Sequence, residues 1–340
     1  MSNISPPPSM PSVLAAGPAR FEGVPRIWLL FLLLAACAPW VLYPIFLMKL
    51  LCFALFACAF NLLLGYTGLL SFGHAAFFGG AAYITAHAAK VWNFPPEVAV
   101  LVGTAFAALL GVVIGALAIR RQGIYFAMTT LALAQMISFL ALQLPFTGGE
   151  DGIQAVPRGM LLGVFDLEKP LVLYYVVLAV FVFGFFAVWR VVNSPFGHVL
   201  KAIRENEPRA VSLGYHTVRY KLVVFVLSAA LAGLAGSVKI IVFQLASLTD
   251  ITWHMSGTVV LMVLLGGVGT LAGPIVGASI IIGMEHFLAG TSFPVDVANG
   301  LLFMVCVLAF RRGIVGELAP WFQRLRRRNP GSDTSGATHG

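Results

Sequence analysis

The chain reads as an all-α, polytopic integral membrane protein of about ten transmembrane helices, interrupted by glycine-rich breaks, with both termini on the cytoplasmic side. Three observations predict this. Hydrophobic residues make up 59% of the 340 and charged residues only 10%, far from the balance of a soluble domain. The mean hydropathy is +0.93. Apolar runs follow one another almost end to end, which leaves little room for a separate soluble domain.

A hydrocarbon core about 30 Å thick needs roughly 20 apolar residues in a helix rising about 1.5 Å per residue. The first such run covers residues 27–48. Others cover 50–64, 74–89, 98–119, 124–144, 171–189, 222–243, 256–271, 274–288 and 297–310, several of them short. The basic residues outside the spans give the orientation. Arg20 and Arg26, then Arg120 and Arg121, then Lys201, Arg204, Arg209 and Arg219, then Arg311, Arg312 and the arginines at 324–328 all fall on one side, which the positive-inside rule makes cytoplasmic. The segment 145–170 carries Glu150, Asp151, Asp166 and Glu168 against Arg158 and Lys169, and falls on the opposite face. Lys49 and Lys90 are isolated interfacial lysines that reach toward the headgroups. The resulting plan is a disordered cytoplasmic tail at 1–26, a membrane domain at 27–312 with a polar loop at 193–220, and a basic cytoplasmic tail at 313–340.

The net charge of +8 sits in short loops and at the C-terminus rather than on one stripe, so membrane topology explains it better than nucleic acid does. Cys37, Cys52, Cys58 and Cys306 lie in apolar runs without metal-ligand spacing and read as small buried hydrophobes. Leu34-Ala35-Ala36-Cys37 imitates a lipoprotein processing site, but the apolar run continues past Cys37 and the preceding tail is long, which favours a spanning helix.

Two glycine clusters interrupt the apolar runs. In the first, Gly65, Gly68 and Gly73 precede His74 and surround Ser71; in the second, Gly266, Gly269 and Gly273 repeat a similar rhythm, which hints at an internal repeat. Glycine lets backbones approach closely, and unwound backbone survives at membrane depth only when buried in protein or lining an aqueous cavity. Gly65, Gly68, Ser71, Gly73, His74, Gly266 and Gly269 are therefore candidates for a translocation path, with tight helix packing as the equal alternative. Neither cluster has the spacing of a nucleotide loop, and no Gly-Lys-Ser or Gly-Lys-Thr occurs anywhere. Ser71 and His74 lack a nucleophile elbow and a neighbouring acid, so intramembrane catalysis is not indicated. Other polar residues in or near spans are Gln135, Lys239, Gln244, Glu285 and His286; Glu285 is the carboxylate to consider for proton coupling. For His74, a hydrogen bond to a neighbouring helix is the favoured role.

In the polar loop, Pro195 can open a helix, a second proline stands at Pro208, and Gly214 closes the segment, which predicts two short helices with an elbow. The stretch Ala202-Ile-Arg-Glu-Asn-Glu-Pro-Arg-Ala-Val-Ser-Leu-Gly214, the run 221–236, the Ser-Phe-Gly-His-Ala-Ala-Phe-Phe core at 71–78 and the segment 266–277 together resemble the LivM-type permeases of branched-chain amino acid ABC importers. The resemblance implies a multi-pass protein of the bacterial inner membrane working with a second homologous permease, two cytoplasmic ATPase subunits and a periplasmic binding protein. ATP and Mg would be bound by the ATPases, with no cofactor in this chain. It also implies that Arg204, Glu205, Asn206, Glu207, Arg209, Ala210 and Gly214 form the element that couples to an ATPase. The wider superfamily carries Glu-Ala-Ala and then Gly after three residues; here Ala210 and Gly214 fit, Pro208 and Arg209 fill the first two places, and Glu207 stands one residue early. Related permeases for urea, short amides or aromatic acids share this architecture. An ion-coupled secondary transporter and a non-transport scaffold are the alternatives of other classes.

Overall fold

Proline at the head and glycine at the foot delimit the first long helix of the computed structural model, which describes residues 33–40, 42–161, 163, 165–288, 290, 295–309 and 313–317. Helix α1 (Pro44–Thr67) follows extended Tyr43, has proline in its first turn, and stops at Gly68, whose left-handed backbone (φ 73°) turns its N–H back onto the Leu64 carbonyl. Then come α2 (His74–Lys90), α3 (Pro96–Ala118), α4 (Ile124–Gln143) and α5 (Pro170–Val192). The polar loop forms α6 (Pro195–Glu205) and α7 (Glu207–Ser212), and the chain continues through α8 (Thr217–Phe243), α9 (Trp253–Gly266), α10 (Gly273–Leu288) and α11 (Val295–Ala309). Of these, α1, α3, α4, α5 and α8 are long and apolar enough to cross a membrane, and α9 and α10 are shorter apolar helices. The chain is a multi-pass membrane protein.

Burial sorts the long helices. In the most apolar window of each, 83% of α1 and 67% of α8 are buried, against 33%, 28% and 39% of α3, α4 and α5. Helices α1 and α8 are the central pair, and α1 is apolar on every side, as a helix enclosed by others must be. Around α8, residues Ala229, Ala232, Gly233 and Gly236 are buried small side chains, the composition that allows close crossings without a hydrophobic driving force from water.

Most of the expected runs coincide with helices to within a few residues. The division into runs at 27–48 and 50–64 does not. Residues 33–37 are helical, Ala38–Trp40 form a 3-10 turn, and α1 begins afresh at Pro44. Pro39 and Pro44 each lack an N–H to continue a helix, so a proline-flanked turn separates the two segments. Residues 27–32 and both terminal tails, 1–26 and 318–340, lie outside the described residues, as do Arg311 and Arg312. Cys52 and Cys58 are buried as expected, but Cys37 is exposed. The Cys306 side chain lies outside the described ones. The chain is also not purely helical: β1 (Ile153–Gln154) pairs antiparallel with β4 (Leu245–Ala246), and β2 (Met160–Leu161) with β3 (Phe165–Asp166). These two-residue pairs satisfy backbone groups in the segments that follow α4 and α8.

Candidate functional site

Both glycine clusters are breaks between helices, and they meet. The first lies between α1 and α2, the second between α9 and α10. The second glycine of each rhythm is left-handed, Gly68 at φ 73° and Gly269 at φ 79°, so the two breaks share a backbone device as well as a spacing. Gly65 is what allows the contact. A Cβ there would stand 2.7 Å from the Gly269 nitrogen, too close for any real side chain.

Asn61, one helical turn before Gly65 on the same face of α1, fastens the junction. Its Nδ2 donates to the Thr270 carbonyl at 2.9 Å, and its Oδ1 accepts from the Gly269 N–H at 3.0 Å. Sequence reasoning passed over Asn61. The available signal was a lone buried amide within an otherwise apolar span, where an unpaired polar group is costly.

Arg204 reaches the same junction from the polar loop. Its Nη1 donates to the Gly65 carbonyl, one of the last carbonyls of α1. Its stem passes Gly68, where a Cβ would lie 3.3 Å from Arg204 Cγ. Residues assigned separately to a path and to a loop are thus in contact.

The loop is built as two short helices, with the elbow at Asn206 rather than Pro208. Asn206 is extended and caps α7, its Oδ1 accepting from the Arg209 N–H at 3.0 Å, while Pro208 falls in the first turn that Asn206 starts. Gly214 ends the unit at φ 88°, with its N–H on the Val211 carbonyl and the Tyr215 N–H on that of Ala210. Ala210 is the buried residue of α7. Glu207 pairs with Lys221 at 2.6 Å, and the Lys221 side chain is almost wholly enclosed. Gln122, in the turn before α4, donates to the other Glu207 oxygen at 3.3 Å. Glu205, Asn206 and Arg209 are exposed. So are Val211 (54%), Leu213 (68%) and Tyr215 (40%), an apolar surface on an otherwise polar segment.

Beside the first break runs a crevice of about 550 Å³, lined by Gly68, Leu69, Phe72, Phe126, Met128 and Trp253 among others. Ser71 and His74 do not line it. Both are fully buried in helix packing. His74 bonds through Nε2 to Ser228 Oγ at 2.9 Å, joining α2 to α8 as the favoured reading had it, and Ser228 in turn donates to the Ala59 carbonyl at 2.5 Å. Phe60 and Phe77 meet its ring edge-on. Ser71 Oγ accepts from the Gly73 N–H at 3.2 Å and shapes the break locally. Thr130 and Ser256, also unforeseen, accept from the Phe72 and Ala75 N–H groups at 3.2 and 2.9 Å and so pin the start of α2. Gly266 packs directly against Gly273, closing the second break on itself.

The charges at depth are paired. Lys49 is not an isolated interfacial lysine, because Glu285 lies 3.0 Å away. Lys239 bonds Asp250, and its Nζ lies 5.7 to 6.0 Å from the ring centres of Phe53, Phe78 and Phe243. Asp250 is the more deeply buried carboxylate of the two pairs, so Glu285 is not the sole candidate for a buried acid. Lys90 Nζ donates to the Gln154 carbonyl at 2.7 Å.

The high-affinity branched-chain amino acid transport system permease protein LivM of Escherichia coli is 28% identical over 271 residues, covering 73% of this chain and 64% of the relative. LivM of Salmonella typhimurium is likewise 28% identical, over 276 residues with the same coverage. The ribose import permease protein RbsC of Bacillus subtilis is 27% identical over 197 residues, 53% of this chain and 58% of that one. The chain therefore spans a little under two thirds of the length of the LivM proteins it matches. No solved structure matches it. A family described as branched-chain amino acid transport system / permease component matches residues 42–310, nearly the whole described helical body, and the chain belongs to that family.

Proposed function

We propose that this chain is a permease subunit of an ATP-driven importer of the bacterial inner membrane, carrying branched-chain or related amino acids. In this reading it forms the path with a second homologous permease. A periplasmic binding protein delivers the cargo, and two cytoplasmic ATPase subunits bind ATP and Mg and drive the cycle. The shorter helices α2, α9, α10 and α11 complete about ten crossings or partial crossings, with both termini cytoplasmic, the membrane domain at 27–312 and basic residues holding the inner face. Glu205, Asn206 and Arg209 face the ATPase, while Ala210 and Gly214 keep α7 in shape.

The observation that carries this reading is the exposed face of α7 and the turn after it. Val211, Leu213 and Tyr215 are exposed on a segment rich in charged and polar residues. An apolar patch rimmed by charge is the mark of a docking surface. The crevice at Gly68 supports the cargo class, since its aliphatic and aromatic walls suit an apolar side chain and offer few partners to sugar hydroxyls. The ion-coupled alternative is disfavoured by the pairing of Lys49 with Glu285 and of Lys239 with Asp250, which leaves neither carboxylate as a free proton carrier.

The test is recovery of tagged protein from native membranes followed by mass spectrometry, alongside uptake in reconstituted vesicles. The expected result is co-purification of ATPase chains and a second permease, with uptake that requires ATP, and loss of the ATPases from Leu213→Asp while the chain remains inserted. Recovery of the chain alone, transporting without ATP, would move the assignment to a secondary transporter.

A further inference from the structure

Three elements of different origin share one small volume around Gly65. The polar loop contributes Arg204 from the last turn of α6, α1 contributes its terminal carbonyls, and the α9–α10 break contributes Gly269. The Gly65 carbonyl is left without a helical partner by the end of α1, and a cation at a helix C-terminus is doubly suited to it, by hydrogen bond and by dipole. Arg204 also lies over Gly269, where a Cβ would stand 3.0 Å from Nη1. Its stem crosses left-handed Gly68, at the lip of the crevice. Asn61 ties Gly269 and Thr270 to α1 from beneath, so the guanidinium closes from above a contact that the amide closes from below. The loop is anchored a second time, three residues on, through Glu207 to Lys221 and Gln122.

We propose that Arg204 is a positioning residue for transport: it holds the two glycine breaks against each other while the loop occupies this position, and displacement of the loop withdraws it and lets the breaks part beside the crevice. The inference rests on the importer reading above and adds to it the route by which the loop acts on the path. The loop residue that matters most to the membrane domain is then an exposed one whose guanidinium reaches back to the end of α1. Left-handed Gly68 and Gly269 are the points about which the breaks move, because neither carries a side chain that must be repacked.

The experiment is amide hydrogen exchange on the purified full chain with whatever partners accompany it, comparing the unmodified protein with Arg204→Gln and Arg204→Lys. Loss of one charge-assisted hydrogen bond should speed exchange at Gly68, Phe72 and Gly269 by roughly ten- to a hundredfold in Arg204→Gln, with α3 and α5 unchanged. Arg204→Lys, which keeps the charge but not the planar guanidinium, should lie between. In vesicles, Arg204→Gln should hydrolyse more ATP per molecule taken up. Unchanged exchange at both breaks, or faster exchange spread over the whole chain, would overturn the role of Arg204. Absence of ATP-driven uptake by the unmodified protein would sink the importer reading instead, and the two failures are read from different samples.

Discussion

Asn61 and Gly269 are joined as two strands of a sheet would be: the Gly269 N–H donates to Asn61 Oδ1 at 3.0 Å, and the same side-chain amide donates onward to the neighbouring Thr270 carbonyl at 2.9 Å. One side chain thus satisfies two backbone groups of a half-buried, unwound segment. Such a segment is tolerated in a membrane protein only on that condition. The break between α9 and α10 depends on a residue some two hundred positions earlier.

Asn61→Leu keeps the volume and removes both partners. Two backbone groups are then left unpaired, which costs about 1–3 kcal/mol each when buried. The expected outcome is a thermal midpoint lower by several degrees in detergent, measured against Leu62→Ile as a control for changes in packing, with uptake reduced in parallel.

Glycines in the chain separate into those that something presses on and those in open space. Gly65→Ala places a Cβ against Gly269 backbone, which cannot move aside as a flexible side chain can. It should abolish uptake or prevent stable expression. Gly283, in α10, has nothing within 4 Å of where a Cβ would lie. Gly283→Ala should leave uptake intact and stabilise the helix by about 0.5–1 kcal/mol. Gly68→Ala falls between, with a left-handed backbone that costs an alanine about 1–2 kcal/mol. Equal behaviour of the three in thermal melts and uptake assays would refute the close-approach account.

Glu207 holds the loop by pairing with enclosed Lys221. Glu207→Lys puts a second cation beside a nearly buried one and should release α7 from the start of α8, so that ATP hydrolysis continues while uptake falls at least about tenfold, the equivalent of roughly 1.4 kcal/mol. The exchanged pair Glu207→Lys with Lys221→Glu should recover much of the uptake. Failure of the exchange to rescue would show that Glu207 acts through another contact, and Gln122 would be the next to test.

Lys239 and Asp250 present the common contrast of buried ion pairs. Removing one partner strands the other charge at a cost of about 3–5 kcal/mol, whereas replacing both with apolar residues of similar size is often nearly neutral. Lys239→Met should therefore express poorly. The double variant Lys239→Met with Asp250→Leu should express well and still transport. Transport by the double variant would also exclude Asp250 as a proton carrier, and its loss in a folded protein would reopen the ion-coupled alternative.

How much of this was legible beforehand differs by residue. Helix positions followed from hydrophobic run length because a bilayer demands long apolar segments, and the breaks followed from glycine spacing because glycine adopts the left-handed turns at 68 and 269 without steric cost. The first runs were misdivided because composition does not register where Pro39 and Pro44 deny the backbone its donors. His74 was assigned to helix pairing correctly from its type, but its partner Ser228 was invisible.

By itself the sequence determined that the chain lives in a membrane, where its helices run, which segments unwind and which loop is polar, since all of these depend on local composition and on the solvent. Only the tertiary structure decided that the two unwound segments touch each other, that Asn61 and Arg204 close the contact from opposite sides, and that Lys49 and Lys239 have carboxylate partners. Those are pairings between residues far apart along the chain, and in lipid, where apolar surface does not discriminate one helix neighbour from another, they are set by close packing and by the need to satisfy each polar group.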